Sequence, residues 1–183
     1  MSDTTKEPGN IIKIIVFLWF VIMFMGLMFY TTARMVDFDP ESALLDKSLE
    51  PEFYSELKSR LQADFGAVEG RAFHFSEDGC FCQIVATQHI SDVKNMIQAE
   101  TKKNISVSVT DYPELISYLP STPAIAIFNE VGNLVYIGPY SVGYLCTVGN
   151  GLVEELIPRM NESVADPIVM SLARGCYCNT ATN

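Results

Sequence analysis

The sequence predicts an α/β domain, a mixed sheet flanked by helices, carried behind one N-terminal membrane-spanning helix. Three observations lead there. Ile11 to Tyr30 is an apolar run of 20 residues whose sole charge is Lys13. Behind it, helix-like and strand-like stretches alternate. A dithiol, Gly79-Cys80-Phe81-Cys82, sits at the first strand-to-helix turn.

The apolar run comes first. At a helical rise of about 1.5 Å per residue it spans roughly 30 Å, the thickness of a bilayer core. It exceeds the apolar core of a cleaved signal peptide, and Thr31-Thr32-Ala33 is a faint cleavage site, so an uncleaved anchor over Ile11–Thr32 is expected. Lys6 lies before the run and Lys13 at its leading end, whereas Arg34 follows it with Asp37, Asp39 and Glu41. The small Lys/Arg bias favours a cytoplasmic tail over residues 1–10 and an exported C-terminal domain. Residues 33–50 read as an acidic linker and 51–183 as the domain. With 12 Lys+Arg against 22 Asp+Glu, the net charge is −10, which excludes a basic nucleic-acid-binding face.

Along the domain, Pro51 opens a helix whose Phe53, Leu57, Leu61 and Phe65 form one apolar stripe ended by Gly66. Arg71–Phe75 reads as a strand. After the dithiol a helix runs from near Gln83, with Ser91 a possible cap or kink. Ile105–Val109 alternates as a strand. Pro113–Leu119 is a short helix, and Asp111 before it suits a cap or a proton acceptor. Ala124–Phe128 is apolar throughout, as in a strand buried on both faces. Asn129–Asn133 turns the chain so that Leu134–Ile137 pairs back antiparallel. A glycine-rich loop, Gly138 to Gly151, leads to a helix over Leu152–Met160. Asp166-Pro167 reads as the start of a last helix, stopped by Gly175.

This order, with a dithiol after the first strand and Ser121-Thr122-Pro123 before a buried strand, resembles the thioredoxin-like fold over about Arg71 to Met160. The resemblance implies a cis peptide at Thr122-Pro123 facing Cys80 and Cys82 across a substrate groove, with Gly138 and Pro139 lining its other side. It also implies thiol–disulfide exchange with a thiol or disulfide protein partner, Cys80 attacking and Cys82 resolving, with no cofactor. The whole chain further resembles a family of membrane-anchored bacterial thioredoxin-like proteins with a Gly-Cys-aromatic-Cys signature and a Gly-Pro-Tyr-Ser stretch, which implies no particular activity. The motif lacks one residue of the thioredoxin Cys-x-x-Cys. A disulfide within Cys80–Cys82 would close a smaller, strained and therefore oxidising ring.

The residues leave three chemistries open: redox exchange, a metal site and structural bridging. Four of the five cysteines fall in two Cys-x-Cys pairs, Cys80/Cys82 and Cys176/Cys178. Together the four thiols suit Zn²⁺ or, in smaller number, Cu(I). A tail near Cys176-Tyr177-Cys178 needs a tether to stay ordered. At least one disulfide is therefore expected from Cys176 or Cys178 to Cys146, Cys80 or Cys82, with Cys146 taken first as a partner for the tail. His74 reads as a buried, hydrogen-bonded histidine. His89 follows Cys82 by seven residues, about 10 Å along a helix axis, too far for both to bind one metal.

Overall fold

The computed structural model describes residues 8–100, 103–143, 151–157 and 166–180. It consists of two units, Met1–Arg34 and Met35–Asn183. In the first, helix α1 covers Pro8–Ala33. Its Gly9–Ala33 stretch is long and apolar enough to cross a membrane, and none of it is buried within the protein. Lipid is the solvent that suits a helix apolar on every side.

In the second unit the elements are β1 (Val36–Asp37), α2 (Ala43–Ser48), α3 (Phe53–Phe65), β2 (Arg71–Ser76), α4 (Phe81–Ala99) and β3 (Lys103–Ser108). A 3₁₀ turn over Pro113–Tyr118 precedes β4 (Ser121–Thr122), β5 (Ala124–Phe128) and β6 (Leu134–Pro139). Three short strands follow: β7 (Ile168–Val169), β8 (Arg174–Gly175) and β9 (Cys178–Asn179). The central sheet is five-stranded and mixed, in the order β3-β2-β5-β6-β7. β2 runs parallel to β3 and antiparallel to β5, β5 antiparallel to β6, and β6 parallel to β7.

Side-chain alternation on the strands divides the core. Phe73 and Phe75 of β2 join Ala124, Ala126 and Phe128 of β5 on the face covered by Phe53, Leu57 and Leu61 of α3. Ala72, with Ile125 and Ile127, meets Ala86, Ile90, Val93 and Ile97 of α4 on the other. The continuous apolar run of β5 is thus explained: all five of its residues are buried. The β5–β6 turn is held by Asn129, whose Oδ1 accepts from the backbone N–H of Val131 (3.2 Å) and Asn133 (2.8 Å).

Several expectations need correction. The linker is structured: it holds β1 and α2, and Phe38 and Leu44 are fully buried. Helix α4 passes through Ser91 unbroken, because Ile90 and Val93 on either side face the same apolar layer. Residues 151–157 form turns where a helix was expected, and the rest of that stretch lies outside the described residues. Asp166-Pro167 starts no helix. The chain after it is extended, because the free edge of β6 and the linker offer its backbone partners. Tyr136 and Ile137 pair with Ile168 and Val169, and Val36 and Asp37 pair with Gly175 and Arg174. The Met170 N–H donates to the Ile137 carbonyl (2.9 Å), and the Phe38 N–H to the Ala173 carbonyl (2.7 Å). Asp111 is exposed and its side chain caps nothing, since the 3₁₀ turn has Tyr112 at its N-cap with no side-chain bond.

Candidate functional site: a double disulfide at a helix start

Gly79, with a φ of 80°, turns the chain out of β2. That left-handed conformation suits glycine. The turn delivers Cys80 to the N-cap of α4 in extended conformation, with no side-chain capping bond. Cys82 is the second residue of the helix. Both sulfurs therefore stand where unpaired backbone N–H groups and the helix dipole favour negative charge.

The tail comes to meet them. Cys80 is disulfide-bonded to Cys178, with Cα atoms 6.0 Å apart, and Cys82 to Cys176, with Cα atoms 5.4 Å apart. The expected tether exists, made by both tail cysteines and to Cys82 and Cys80. Cys146, expected first as a partner for the tail, is not the residue that either tail cysteine joins, and it lies outside the described residues. The physical reason lies in two strand pairings. β8 pairs with β1 and is bridged at Gly175 to Gly143, while β9 pairs antiparallel with β4, Thr122 opposite Cys178 and Ser121 opposite Asn179. Thr180 completes the seam, its N–H donating to the Pro120 carbonyl (3.0 Å) and its hydroxyl to the Leu119 carbonyl. The Tyr177 hydroxyl donates to the Ser141 carbonyl (2.6 Å), and its ring meets Phe38 edge-on.

The two bonds are not equivalent. Cys80, Cys82 and Cys176 are all buried, whereas Cys178 is half-buried and lines an open groove with Cys80, Glu77, Asp78, Gly79, Thr110 and Asn179. Cys80–Cys178 is the outer bond and Cys82–Cys176 the inner one. The Sγ atoms of Cys80, Cys82 and Cys178 all lie within 4.8 Å of one another, so exchange among them needs only small movements.

A family model for a domain of unknown function, DUF6436, matches residues 50–180. The chain belongs to that family. All four paired cysteines fall inside the DUF6436 domain. No curated protein matches the chain, and no solved structure does.

Within the DUF6436 domain the other sequence candidates are placed as follows. The Thr122–Pro123 peptide is cis, and the Thr122 carbonyl oxygen lies 4.0 Å from Cys80 Sγ. Pro139 pairs in register with Ala124, the residue after Pro123, and Gly138 with Ile125, which brings the two segments to one end of the sheet. His74 is buried on β2 and hydrogen-bonded to Tyr140 and Asn104, as a satisfied core histidine. His89 is also buried; its Nε2 stands 3.2 Å from Glu154 Oε1. No sequence signal pointed to Glu154, because that pair joins α4 to a turn distant in sequence.

Proposed function

We propose that this domain is a thioredoxin-like thiol–disulfide exchange module held at a membrane surface, working through Cys80–Cys178. The observation that carries the proposal is a disulfide that joins a buried cysteine at a helix start to a half-buried cysteine in an open groove. The strand order β3-β2-β5-β6, with α4 crossing from β2 to β3 out of the cysteine turn, supports the thioredoxin-like reading. So does the closeness of Thr122 to Cys80.

The chemistry follows from access and leaving group. A partner thiolate attacks Cys178 Sγ, on the more exposed residue of the pair. A bond forms between the partner sulfur and Cys178, the Cys80–Cys178 bond breaks, and Cys80 leaves as a thiolate stabilised by the helix start. A second partner thiol then attacks the partner's own sulfur. It closes the partner's disulfide and frees Cys178, which takes up a proton. Two electrons pass from the partner dithiol to the outer bond; the reverse sequence reduces a partner disulfide. Two such disulfides belong in an oxidising compartment, which supports an exported domain and a cytoplasmic N-terminus.

The test is redox titration of the full chain in detergent micelles against dithiothreitol buffers, with acid quench, alkylation and peptide mapping. The expected result is labelling of Cys80 and Cys178 at potentials where Cys82 and Cys176 remain bonded. If neither bond exchanges until the domain unfolds, the disulfides are structural and the proposal fails.

The sulfur cluster also favours a second reading. With both bonds reduced, three thiols already within 4.8 Å offer a soft donor set for Zn²⁺ or Cu(I). Stoichiometric zinc or copper on anaerobically reduced chain, lost on Cys80→Ser, supports a metal-binding role. Absence of uptake rejects it.

A further inference from the structure

We propose that the inner disulfide, Cys82–Cys176, is a second redox equivalent that reaches the surface through Cys178, by exchange with the Cys178 thiol once the outer bond has opened. The inference rests on the exchange reading and extends it from one disulfide to both.

The sulfurs are arranged for this transfer. Cys82 and Cys176 are buried, and the open groove is lined by Cys80 and Cys178. A partner thiolate in the groove therefore meets the outer bond first. Yet Cys178 Sγ and Cys82 Sγ lie within 4.8 Å of each other, although they belong to different bonds. Cys80 attacking Cys82, or Cys178 attacking Cys176, would close the strained ring of a Cys-x-Cys disulfide. Cys178 attacking Cys82 instead joins the tail to α4, as both native bonds do. In that step the Cys178 thiolate forms a bond to Cys82 Sγ and the Cys82–Cys176 bond breaks. Cys176 leaves as a thiolate and takes up the proton that Cys178 gave up, with no electron gained or lost. A second partner thiolate then attacks Cys178 Sγ in the groove, and Cys82 leaves as a thiolate favoured at the start of α4. The partner's other thiol closes the partner disulfide and frees Cys178. Each disulfide takes two electrons, so the domain oxidises two partner dithiols through one residue of the groove. The β1–β8 pairing beside Cys176 keeps Cys82–Cys176 the main form, and the Cys82–Cys178 bond is a minor form that a partner draws off.

The test uses the full chain in detergent micelles carrying Cys80→Ser, in which Cys178 is a thiol beside an intact inner bond. Acid quench, alkylation and peptide mapping should find a minor Cys82–Cys178 peptide with Cys176 alkylated. Dithiothreitol should reduce the inner bond about tenfold faster in this variant than in one also carrying Cys178→Ser, where the buried bond is reached only by local opening. Both variants lack the outer bond, so loss of that tether does not separate them. Equal rates, or Cys82 found bonded to Cys176 alone, overturns the proposal. Should Cys80→Ser not fold, wild-type chain reduced at its outer bond answers the same question. There a Cys82–Cys178 peptide with Cys80 and Cys176 alkylated supports the transfer, and its absence rejects it. Because Cys178 is already a thiol in the variant, the outcome is separate from whether a partner opens Cys80–Cys178.

Discussion

His74 stands on β2 with Nε2 2.8 Å from Asn104 Oδ1 and Nδ1 against the Tyr140 hydroxyl. The Asn104 amide nitrogen donates to the Lys94 carbonyl (2.9 Å), which fixes its oxygen towards the ring. His74 therefore donates from Nε2 and accepts at Nδ1, the neutral form. Burial holds its pKa down from 6.5 to about 4, with Lys94 adding to the depression and the Asn104 bond opposing it. The unfolded chain thus binds a proton between pH 6.5 and 4 that the folded chain does not. Stability from this group is complete above pH 6.5 and declines as pH falls towards 4, by roughly 3 kcal/mol in all. Urea unfolding at stepped pH should show that slope, and His74→Gln should flatten it. At Gly138 the constraint is steric. Its φ is 156°, and a Cβ there would meet the Met170 carbonyl oxygen at 2.9 Å and the Tyr136 hydroxyl at 2.9 Å. Gly138→Ala should therefore cost about 1–3 kcal/mol by overpacking, read as a lower urea midpoint.

At the scale of elements, the two disulfides act on one seam between α4 and the tail. Their sequence separations are 98 and 94 residues, so either bond alone closes a large loop. Once one is closed, the other completes only a small ring, Cys80 to Cys82 and Cys176 to Cys178. In the chain-entropy model the first bond contributes about 5 kcal/mol and the second about 2. Cys178→Ser should thus lower stability by about 2 kcal/mol, whereas adding Cys82→Ser should remove about 5 more. Denaturant unfolding of the single and double variants measures this; equal, additive losses would contradict the nested arrangement.

For the whole molecule, the apolar helix and the domain solve different solvent problems. The helix buries nothing within the protein, whereas the domain carries its own core on both faces of a sheet. A chain starting at Met35 should accordingly be soluble and folded with both disulfides formed, as checked by sedimentation and non-reducing peptide mapping. The full chain should stay with membranes through an alkaline carbonate wash. A periplasmic-type reporter fused after Asn183 should be active only outside the cytosol; activity inside would reverse the orientation proposed.

Local patterns in the sequence were enough to determine the membrane-length run, the α3 stripe, the buried β5, the Asn129–Asn133 turn and the cysteine pair at a strand-to-helix turn. Each depends on neighbours within a few residues, where spacing and side-chain chemistry act directly. The need to tether the tail was also legible, since a short end segment loses too much conformational entropy to stay ordered without a bond to the body. Which sulfurs meet was not. The pairing of Cys178 with Cys80 and Cys176 with Cys82 depends on strand edges that exist only after the sheet has formed. The same edges overrode the helix signal at Asp166-Pro167, drawing that segment out as β7 and β8. His89 and Glu154 met for a similar reason, across a layer of core that no local pattern describes. Short-range periodicity settles what a segment can be, while unsatisfied backbone edges and buried polar groups, present only in the assembled fold, decide what it joins.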